Sequence, residues 1–265
     1  MKRFFLLIAA LALALALCGC AGTGSPTETL PEDILGALSG ETVPPVTSPD
    51  SSGLAVSTRT VEFYPSPSVS ARLTYPTVTG ISPAVDAKLN AALASRAEAE
   101  LAARVQPEDA LAAVGATAEY TVTSAQITHV GENFACAVSF VTVTYTSTDP
   151  ETHAPVTDSI FYAYSSFLNL STGEEVPPTA VLADVGAFFD LLAAGEFRVT
   201  GGEPCANLSD LIAEARTNAA HGVYPPMFIS GTDLTAVFFS GDGEAASLFT
   251  VPLESLTQHQ NIPKK

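Results

Sequence analysis

The chain has 265 residues, of which 47% are hydrophobic and 15% charged, and its formal net charge is −17. A surface this acidic repels phosphates and anionic headgroups, which argues against nucleic acid as a partner and favours a cationic one electrostatically. The alternative is that acidity simply keeps the protein dispersed in solution.

The N-terminus predicts secretion and lipid attachment. Lys2 and Arg3 precede an unbroken apolar stretch over residues 4–17, which fits a signal peptide and is shorter than the roughly 20 residues of a membrane span. Cys20 follows Gly19, with Leu17 three positions back. This order resembles the bacterial lipobox, whose cysteine is acylated and becomes the mature N-terminus; the alternative is an ordinary signal peptide. We therefore predict removal of residues 1–19, lipid attachment at Cys20, and an extracytoplasmic protein anchored in the cell membrane.

Residues 20–54 predict a flexible tether. Proline, glycine, serine and threonine dominate this segment, and aromatic residues are absent from it. Such a composition cannot bury enough apolar surface to offset the entropy of ordering. A coil of this length spans roughly 30 Å, so we expect the folded part to stand off the membrane.

The next segment, residues 55–115, predicts strands followed by a helix. Its first part, "VEFYPSPSVSARLTYPTVTG", is aromatic and β-branched but interrupted by prolines, which indicates one or two short edge strands. Apolar residues then recur every fourth position, and Pro83 suits a first helical turn, so we predict an amphipathic helix over 83–105. The recurring residues are Ile81, Val85, Leu89, Leu93, Ala97, Leu101 and Val105.

Residues 116–257 predict a larger α+β part, followed by a tail over 258–265. A hairpin turns at residues 131–133, and its second strand is apolar on both faces, which predicts either a central strand covered on both sides or one face packed on a helix. One more strand, two helices and a three-strand meander follow, with Gly222 as the stop of the second helix. The fold class predicted is α+β: an antiparallel sheet with helices packed on it, in a two-part body behind a disordered tether.

Several short motifs resemble a known family. The segment "LTYPTVTGISPAVDAKLNAAL", with Tyr75, Pro76, Gly80 and Asn90 in order, resembles the N-terminal half of a bacterial extracytoplasmic module, the domain of unknown function family 4163. The segment "FLNLSTGEEV", with Asn169, Thr172 and Gly173, resembles the signature of the domain of unknown function family 3298. The closing "VFFSGDGEAASLFTVPLESL" is similar to the final hairpin of that family.

The resemblance implies an α+β module that occurs on lipoproteins, in lysozyme-sensing anti-sigma factor ectodomains and beside peptidoglycan deacetylase domains. In those settings the module binds or senses and is not the catalytic part. We therefore expect a non-catalytic envelope protein whose partner is a cell-wall component or a basic protein such as lysozyme. The alternative is a cell-wall hydrolase or deacetylase with an unrecognised site.

Candidate chemistry in the sequence is sparse. The four histidines lack the spacing of zinc sites, and no nucleophile or nucleotide motif occurs, so we predict no catalytic residues, no metal and no cofactor. We expect binding at the loops over residues 147–157 and 240–244, because loops on a sheet scaffold commonly carry it. Cys136 and Cys205 are the only thiols beyond the lipobox, and they either form a disulfide or stay reduced, with Cys136 as a small buried hydrophobe.

Overall fold

The fold is known from a computed structural model, which describes residues 54–182, 185–201, 207–239 and 246–256. The predicted signal peptide, Cys20, nearly all of the predicted tether and the tail lie outside the described residues. Within the described residues, no helix is long and apolar enough to span a membrane.

A central six-stranded sheet, here called sheet A, organises the molecule. Its strands lie in chain order, and all neighbours are antiparallel except β2 and β3, which are parallel. Its strands are β1 (Ala55–Ser66), β2 (Val69–Thr79), β3 (Thr117–Val130), β4 (Phe134–Thr148), β5 (Pro155–Asn169) and β6 (Glu175–Val176).

Helix α1 (Pro83–Arg104) and the short helix α2 (Glu108–Val114) connect β2 to β3 and cover one face of sheet A. The α1 helix begins where sequence predicts, because Ser82 caps it and Pro83 occupies its first turn. Its buried side chains are Leu89, Leu93, Ala97 and Leu101, four of the residues in the predicted four-residue repeat. They pack on inward-facing residues of β2, β3 and β4.

The opposite face of sheet A is partly covered by a second layer. That layer contains α3 (Val185–Ala194), α4 (Leu208–Ala219) and a four-stranded antiparallel sheet B in the order β7-β10-β9-β8. The strands of sheet B are β7 (Arg198–Gly201), β8 (Met227–Ser230), β9 (Asp233–Phe239) and β10 (Ala246–Pro252). Phe134, Cys136, Val138 and Phe140 of β4 face this layer, whereas Ala135, Ala137, Val141 and Val143 face α1.

The predicted α+β class is therefore confirmed, although sheet A is mixed rather than antiparallel throughout, because β2 and β3 are parallel. The first half of β4 is covered on both sides, as predicted, whereas one face of its second half is not. The strands before α1 are longer than predicted, and Pro76 is tolerated inside β2 because only Val69–Arg72 of that strand pairs with β3. Sheet A also runs across the predicted boundary between residues 115 and 116, since β2 and β3 pair directly.

Candidate binding surface

One face of sheet A changes from apolar to polar along β4. Phe134 to Phe140 contribute alternate buried side chains to the core beneath sheet B, but Thr142, Thr144 and Thr146 continue the same face with hydroxyls. The alternate residues Val143 and Tyr145 still face the α1 layer. Sheet B therefore covers only part of this face, and the remaining part is open and rich in hydroxyl groups.

A shallow groove of ≈ 200 Å³ lies at one corner of this open face. We call it the hydroxyl groove. Five of its lining residues carry aliphatic hydroxyls, and the lining is completed by an aromatic, an acidic and three apolar residues: Ser68, Ser70, Thr117, Thr144 and Thr146, then Tyr64, Glu119, Pro67, Val69 and Ala118.

A β-bulge places Tyr64 at the groove. The pairing of β1 with β2 shifts between Phe63↔Ala71 and Ser66↔Val69, so β1 carries one extra residue here. Phe63 packs against the core under α1, whereas Tyr64 is 82% exposed. Bulges commonly redirect a side chain in this way, and Pro65 cannot donate a ladder hydrogen bond at the same point.

Glu108, in the first turn of α2, fixes the wall of the groove. Its Oε2 accepts hydrogen bonds from the Ser66 hydroxyl and from the Ser68 amide, the second at 3.1 Å. Its Oε1 accepts a hydrogen bond from the Ser68 hydroxyl at 2.7 Å. The bonds from the Ser66 and Ser68 hydroxyls hold the pKa of Glu108 below its usual 4.5. The turn between β1 and β2 is thereby tied to α2.

The groove itself carries little charge. Glu119 is the one ionisable carboxylate among its lining residues, and its Oε1 accepts a hydrogen bond from the Thr121 hydroxyl at 3.4 Å. The nearby Arg72 and Glu62 neutralise each other in an exposed ion pair of 3.4 Å. The groove therefore offers hydroxyl donors and acceptors, one aromatic ring and one negative charge.

The motif residues Tyr75, Pro76, Gly80 and Asn90 connect the end of β2 to helix α1. The amide side chain of Asn90 accepts from the Val78 amide at 2.8 Å and donates to the Val78 carbonyl at 2.9 Å, which fastens α1 to the end of β2. Gly80 has a φ of 113° and donates its amide to Asp86 at 3.0 Å. Tyr75 and Pro76 are buried beneath the helix.

The family-matching residues after β5 form a turn that packs on the same helix. Asn169 Oδ1 accepts from the Ser171 amide at 2.8 Å and from the Thr172 amide at 3.1 Å, and the Gly173 amide donates to the Asn169 carbonyl. A Cβ on Gly173 would lie 2.7 Å from Lys88 Cβ, so this turn touches the first half of α1. The two motifs meet in space, and both hold the fold together away from the hydroxyl groove.

The other predicted candidates do not form a site. Cys136 is fully buried on β4, where burial raises the pKa of its thiol to about 12, and Cys205 lies outside the described residues, so their disulfide stays a prediction. Within the described ranges, no three His, Cys, Asp or Glu residues are grouped to hold a metal ion. His129 stacks on Phe134, His221 is bonded to the Thr217 carbonyl, and His153 is exposed in a turn.

Of the two loops predicted to bind, only one is described. In the 147–157 loop, Asp149 Oδ1 accepts hydrogen bonds from the amides of Glu151 and Thr152. These bonds stabilise the turn. These backbone bonds lower the pKa of Asp149. Residues 240–244 lie outside the described ranges.

A second polar cluster lies where α1 borders sheet A, and its arginines are partly exposed. Glu100 pairs with Arg96 at 2.9 Å and with Arg104 at 3.2 Å, and the Arg104 guanidinium lies 4.8 Å from the ring centre of Tyr162. Among the described residues, the buried Tyr120 hydroxyl and the buried Arg96 Nε have no hydrogen-bond partner. The cavity beside Tyr164 is only ≈ 10 Å³, which is about the space of one water molecule. The hydroxyl groove is therefore the larger and more accessible candidate.

No protein-family model matches the chain, and no curated protein sequence matches it. Solved structures similar to it include two members of one family. A crystal structure of a DUF3298 family member from Bacteroides fragilis is 11% identical with a TM-score of 0.42, over 79% of this chain and 94% of that one. A DUF3298 family protein from Pseudomonas aeruginosa is 11% identical with a TM-score of 0.37, over 80% of this chain and 98% of that one.

Both of these structures come from the domain of unknown function family 3298, the family that the motifs around Asn169 and Gly173 resemble. The resemblance of the N-terminal half to family 4163, and the lipobox, stay predictions.

A local sequence pattern, separate from the motifs described above, indicates the open face on which the hydroxyl groove lies. Within "FVTVTYTST", threonines alternate with Val143 and Tyr145, which is the period-two pattern of a strand with one buried and one open face. That pattern locates the open face on β4. The position of Tyr64 depends on a bulge and on pairing with β2, which alternation alone does not reveal.

Proposed function

We propose that this protein is a lipid-anchored, non-catalytic binding protein of the cell envelope, and that the hydroxyl groove is its binding surface. The observation that carries the proposal is the exposed Tyr64 ring beside serine and threonine side chains at one corner of the open face of sheet A. Aromatic and hydroxyl groups together are a common composition of binding surfaces. The lipid anchor and tether would keep this surface near the wall and raise its effective concentration there.

The composition of the groove favours binding over catalysis. General acid–base chemistry on a glycan or an acyl group uses a pair of groups with different protonation states at the reacting bond. Glu119 has no second carboxylate or histidine beside it among the lining residues. The rival function, a hydrolase or deacetylase, predicts release of sugar fragments or acetate from purified peptidoglycan, lost on substitution of His153 or His221.

Co-sedimentation with purified, insoluble wall sacculi tests the proposed surface. We expect the full chain, kept in detergent, to sediment with the sacculi and Tyr64→Ala to reduce the bound fraction. The control is Val223→Ala, which truncates another exposed apolar side chain, 60% exposed, outside the groove. Equal sedimentation of wild type and Tyr64→Ala would show that the groove is not the binding surface.

A second candidate partner is a basic protein such as lysozyme. After removal of residues 1–19, which contain Lys2 and Arg3 but no acidic residue, the net charge becomes −19. Encounter with a cationic protein would then be fast at low ionic strength and would weaken as salt rises. Binding of soluble lysozyme that is salt-sensitive and indifferent to Tyr64→Ala would favour this partner over a wall component.

The proposed anchor has its own test. Lipid attachment at Cys20 predicts that the mature protein partitions into the detergent phase and that Cys20→Ser moves it to the aqueous phase. Acyl chains contribute about 0.8 kcal/mol per buried methylene, so the shift should be large. Unchanged membrane fractionation of Cys20→Ser would contradict the anchor.

A further inference from the structure

We infer that the hydroxyl groove binds a neutral sugar chain, with one sugar ring stacked on Tyr64 and neighbouring sugar hydroxyls bonded to the serines and threonines of sheet A. This inference rests on the proposed function, since it takes the groove to be the binding surface and names the chemistry of its ligand.

The charge of the groove selects a neutral ligand. A phosphate or another anion would meet Glu119 at the groove and Glu108 just behind its wall, with no lysine or arginine among the lining residues. A cationic peptide would need several carboxylates for its charges, and the lining supplies only Glu119. A neutral ligand rich in hydroxyls avoids both penalties.

The hydroxyls of the groove suit such a ligand. A serine or threonine hydroxyl can both donate and accept a hydrogen bond, so it can pair with a sugar hydroxyl that accepts or with one that donates. Thr117 is paired with Thr146, and Glu119 with Thr144, on adjacent antiparallel strands. Adjacent strands lie about 4.8 Å apart, which is comparable with the length of one sugar ring. Side chains on neighbouring strands can therefore contact neighbouring substituents of the sugar chain.

Tyr64 supplies the apolar part of the site. Sugar rings present a face of C–H groups that packs on an aromatic ring, while the phenol hydroxyl keeps contact with water. Phe63, on the other side of the bulge, packs into the core and pins the backbone that carries Tyr64. The fold therefore fixes the backbone from which the exposed ring projects at the groove.

The shape of the groove favours a chain over a small molecule. Pockets that enclose small ligands usually measure about 300–1,000 Å³, whereas this groove is ≈ 200 Å³ and lies on an open sheet face. A polymer lying across the surface can contact the groove with one or two of its units and leave the rest in water.

Isothermal titration calorimetry gives a direct binding measurement, and its signal does not depend on the tyrosine that the variants below remove. The full chain in detergent is titrated with four neutral hexasaccharides, built from N-acetylglucosamine, glucose in cellulose linkage, mannose and maltose-type glucose. We expect saturable binding of at least one. Polyphosphate and polylysine of similar length serve as anionic and cationic probes and should not compete.

Two pairs of variants identify the site. Tyr64→Ala should weaken sugar binding by about tenfold, whereas Tyr64→Phe, which keeps the ring face, should stay within about twofold of wild type. Thr146→Val removes a groove hydroxyl and should weaken binding by about three- to tenfold. Thr142→Val makes the same change on the same strand and face but outside the groove, and should leave binding unchanged.

The outcomes separate this inference from the proposed function. If none of the four sugars binds, or if Tyr64→Ala binds them as well as wild type does, the inference is overturned. Tyr64-dependent sedimentation with sacculi in that case would leave the proposed binding surface standing with a different ligand class. Competition by polylysine or polyphosphate would assign the groove to a charged ligand and overturn the inference as well.

Discussion

Gly173 shows how one residue joins the two family motifs. Its φ of +76° lies in the left-handed region, which side-chain-bearing residues adopt only with strain. A Cβ at this position would lie 2.7 Å from Lys88 Cβ and 3.0 Å from the Val85 carbonyl oxygen. Glycine is therefore required both by the backbone of the turn and by the contact with α1.

Gly173→Ala should accordingly destabilise the protein by about 2–4 kcal/mol, because strain and a clash with α1 add together. Gly231→Ala is the matched control: its φ is +58°, but its added Cβ would meet nothing within 4 Å, so about 1 kcal/mol is expected. Urea unfolding of both variants measures the difference. Equal losses would mean that the contact with α1 contributes nothing.

A second prediction at this scale concerns the Glu108 carboxylate. Because hydrogen bonds from Ser66 and Ser68 hold its pKa below 4.5 in the folded state, its contribution to stability is complete above 4.5 and is lost as the pH falls through the folded pKa. Glu108→Gln should therefore unfold more easily than wild type at about pH 7, and the gap in stability should narrow and then close as the pH falls through the lowered folded-state pKa of Glu108. Thermal unfolding across that range measures it.

The matched control for that pH series is Glu98→Gln, on an exposed position of α1. The stability of Glu98→Gln should differ little from that of wild type, because Glu98 makes none of the contacts at the groove wall. A Glu108→Gln gap that stayed constant from neutral to acidic pH would contradict the role assigned to the carboxylate.

At the scale of elements, helix α1 could be predicted almost to the residue, whereas the short elements could not. Its four-residue repeat, Ser82 cap and Pro83 are local signals. By contrast α2 has seven residues, β6 two and β7 four, and segments this short are stabilised by distant partners. β7, for example, exists through its pairing with β10 about fifty residues away.

The same reasoning explains what could be predicted of the candidate site. The threonine alternation on β4 is local, so the open face could be read from sequence. The groove also requires the parallel pairing of β2 with β3, the bulge at Tyr64 and the bonds from Glu108 to the β1–β2 turn. The strand pairing and the Glu108 bonds join segments roughly 40 or more residues apart, whereas the bulge lies within one hairpin, and no local periodicity encodes any of the three.

The contact between α1 and β2 gives a prediction at this scale. Asn90→Ala removes both hydrogen bonds to the Val78 backbone and should destabilise the fold by about 1–3 kcal/mol, because half-buried polar groups lose their partner. Glu98→Ala, on the exposed side of the same helix, should change stability by less than about 0.5 kcal/mol. Chemical unfolding of the two variants compares them. If Asn90→Ala lost no more stability than Glu98→Ala, the two hydrogen bonds between Asn90 and the Val78 backbone would not be stabilising.

At the scale of the whole molecule, sheet A makes the two predicted parts depend on each other. β3 pairs with β2 over Val69–Arg72, and α1 covers residues of β3, β4 and β5 that belong to the second part. A chain lacking residues before 116 would expose Tyr120, Val141, Val143 and Leu168 to water. Burying such a side chain is worth about 1.5–3 kcal/mol, so the loss would rival the whole stability of an ordinary domain.

We therefore predict that a chain of residues 116–265 does not fold by itself, whereas a chain of residues 54–265 unfolds with the same cooperativity and midpoint as the full mature protein. The longer chain keeps β1, β2 and α1, and therefore both covers of sheet A. Near-ultraviolet circular dichroism and urea unfolding distinguish the two, since a fragment with an uncovered sheet face loses fixed side-chain packing before it loses backbone structure. Cooperative unfolding of residues 116–265 would mean that sheet B, α3 and α4 suffice to hold β3–β5, and that α1 is an independent addition to an autonomous C-terminal domain.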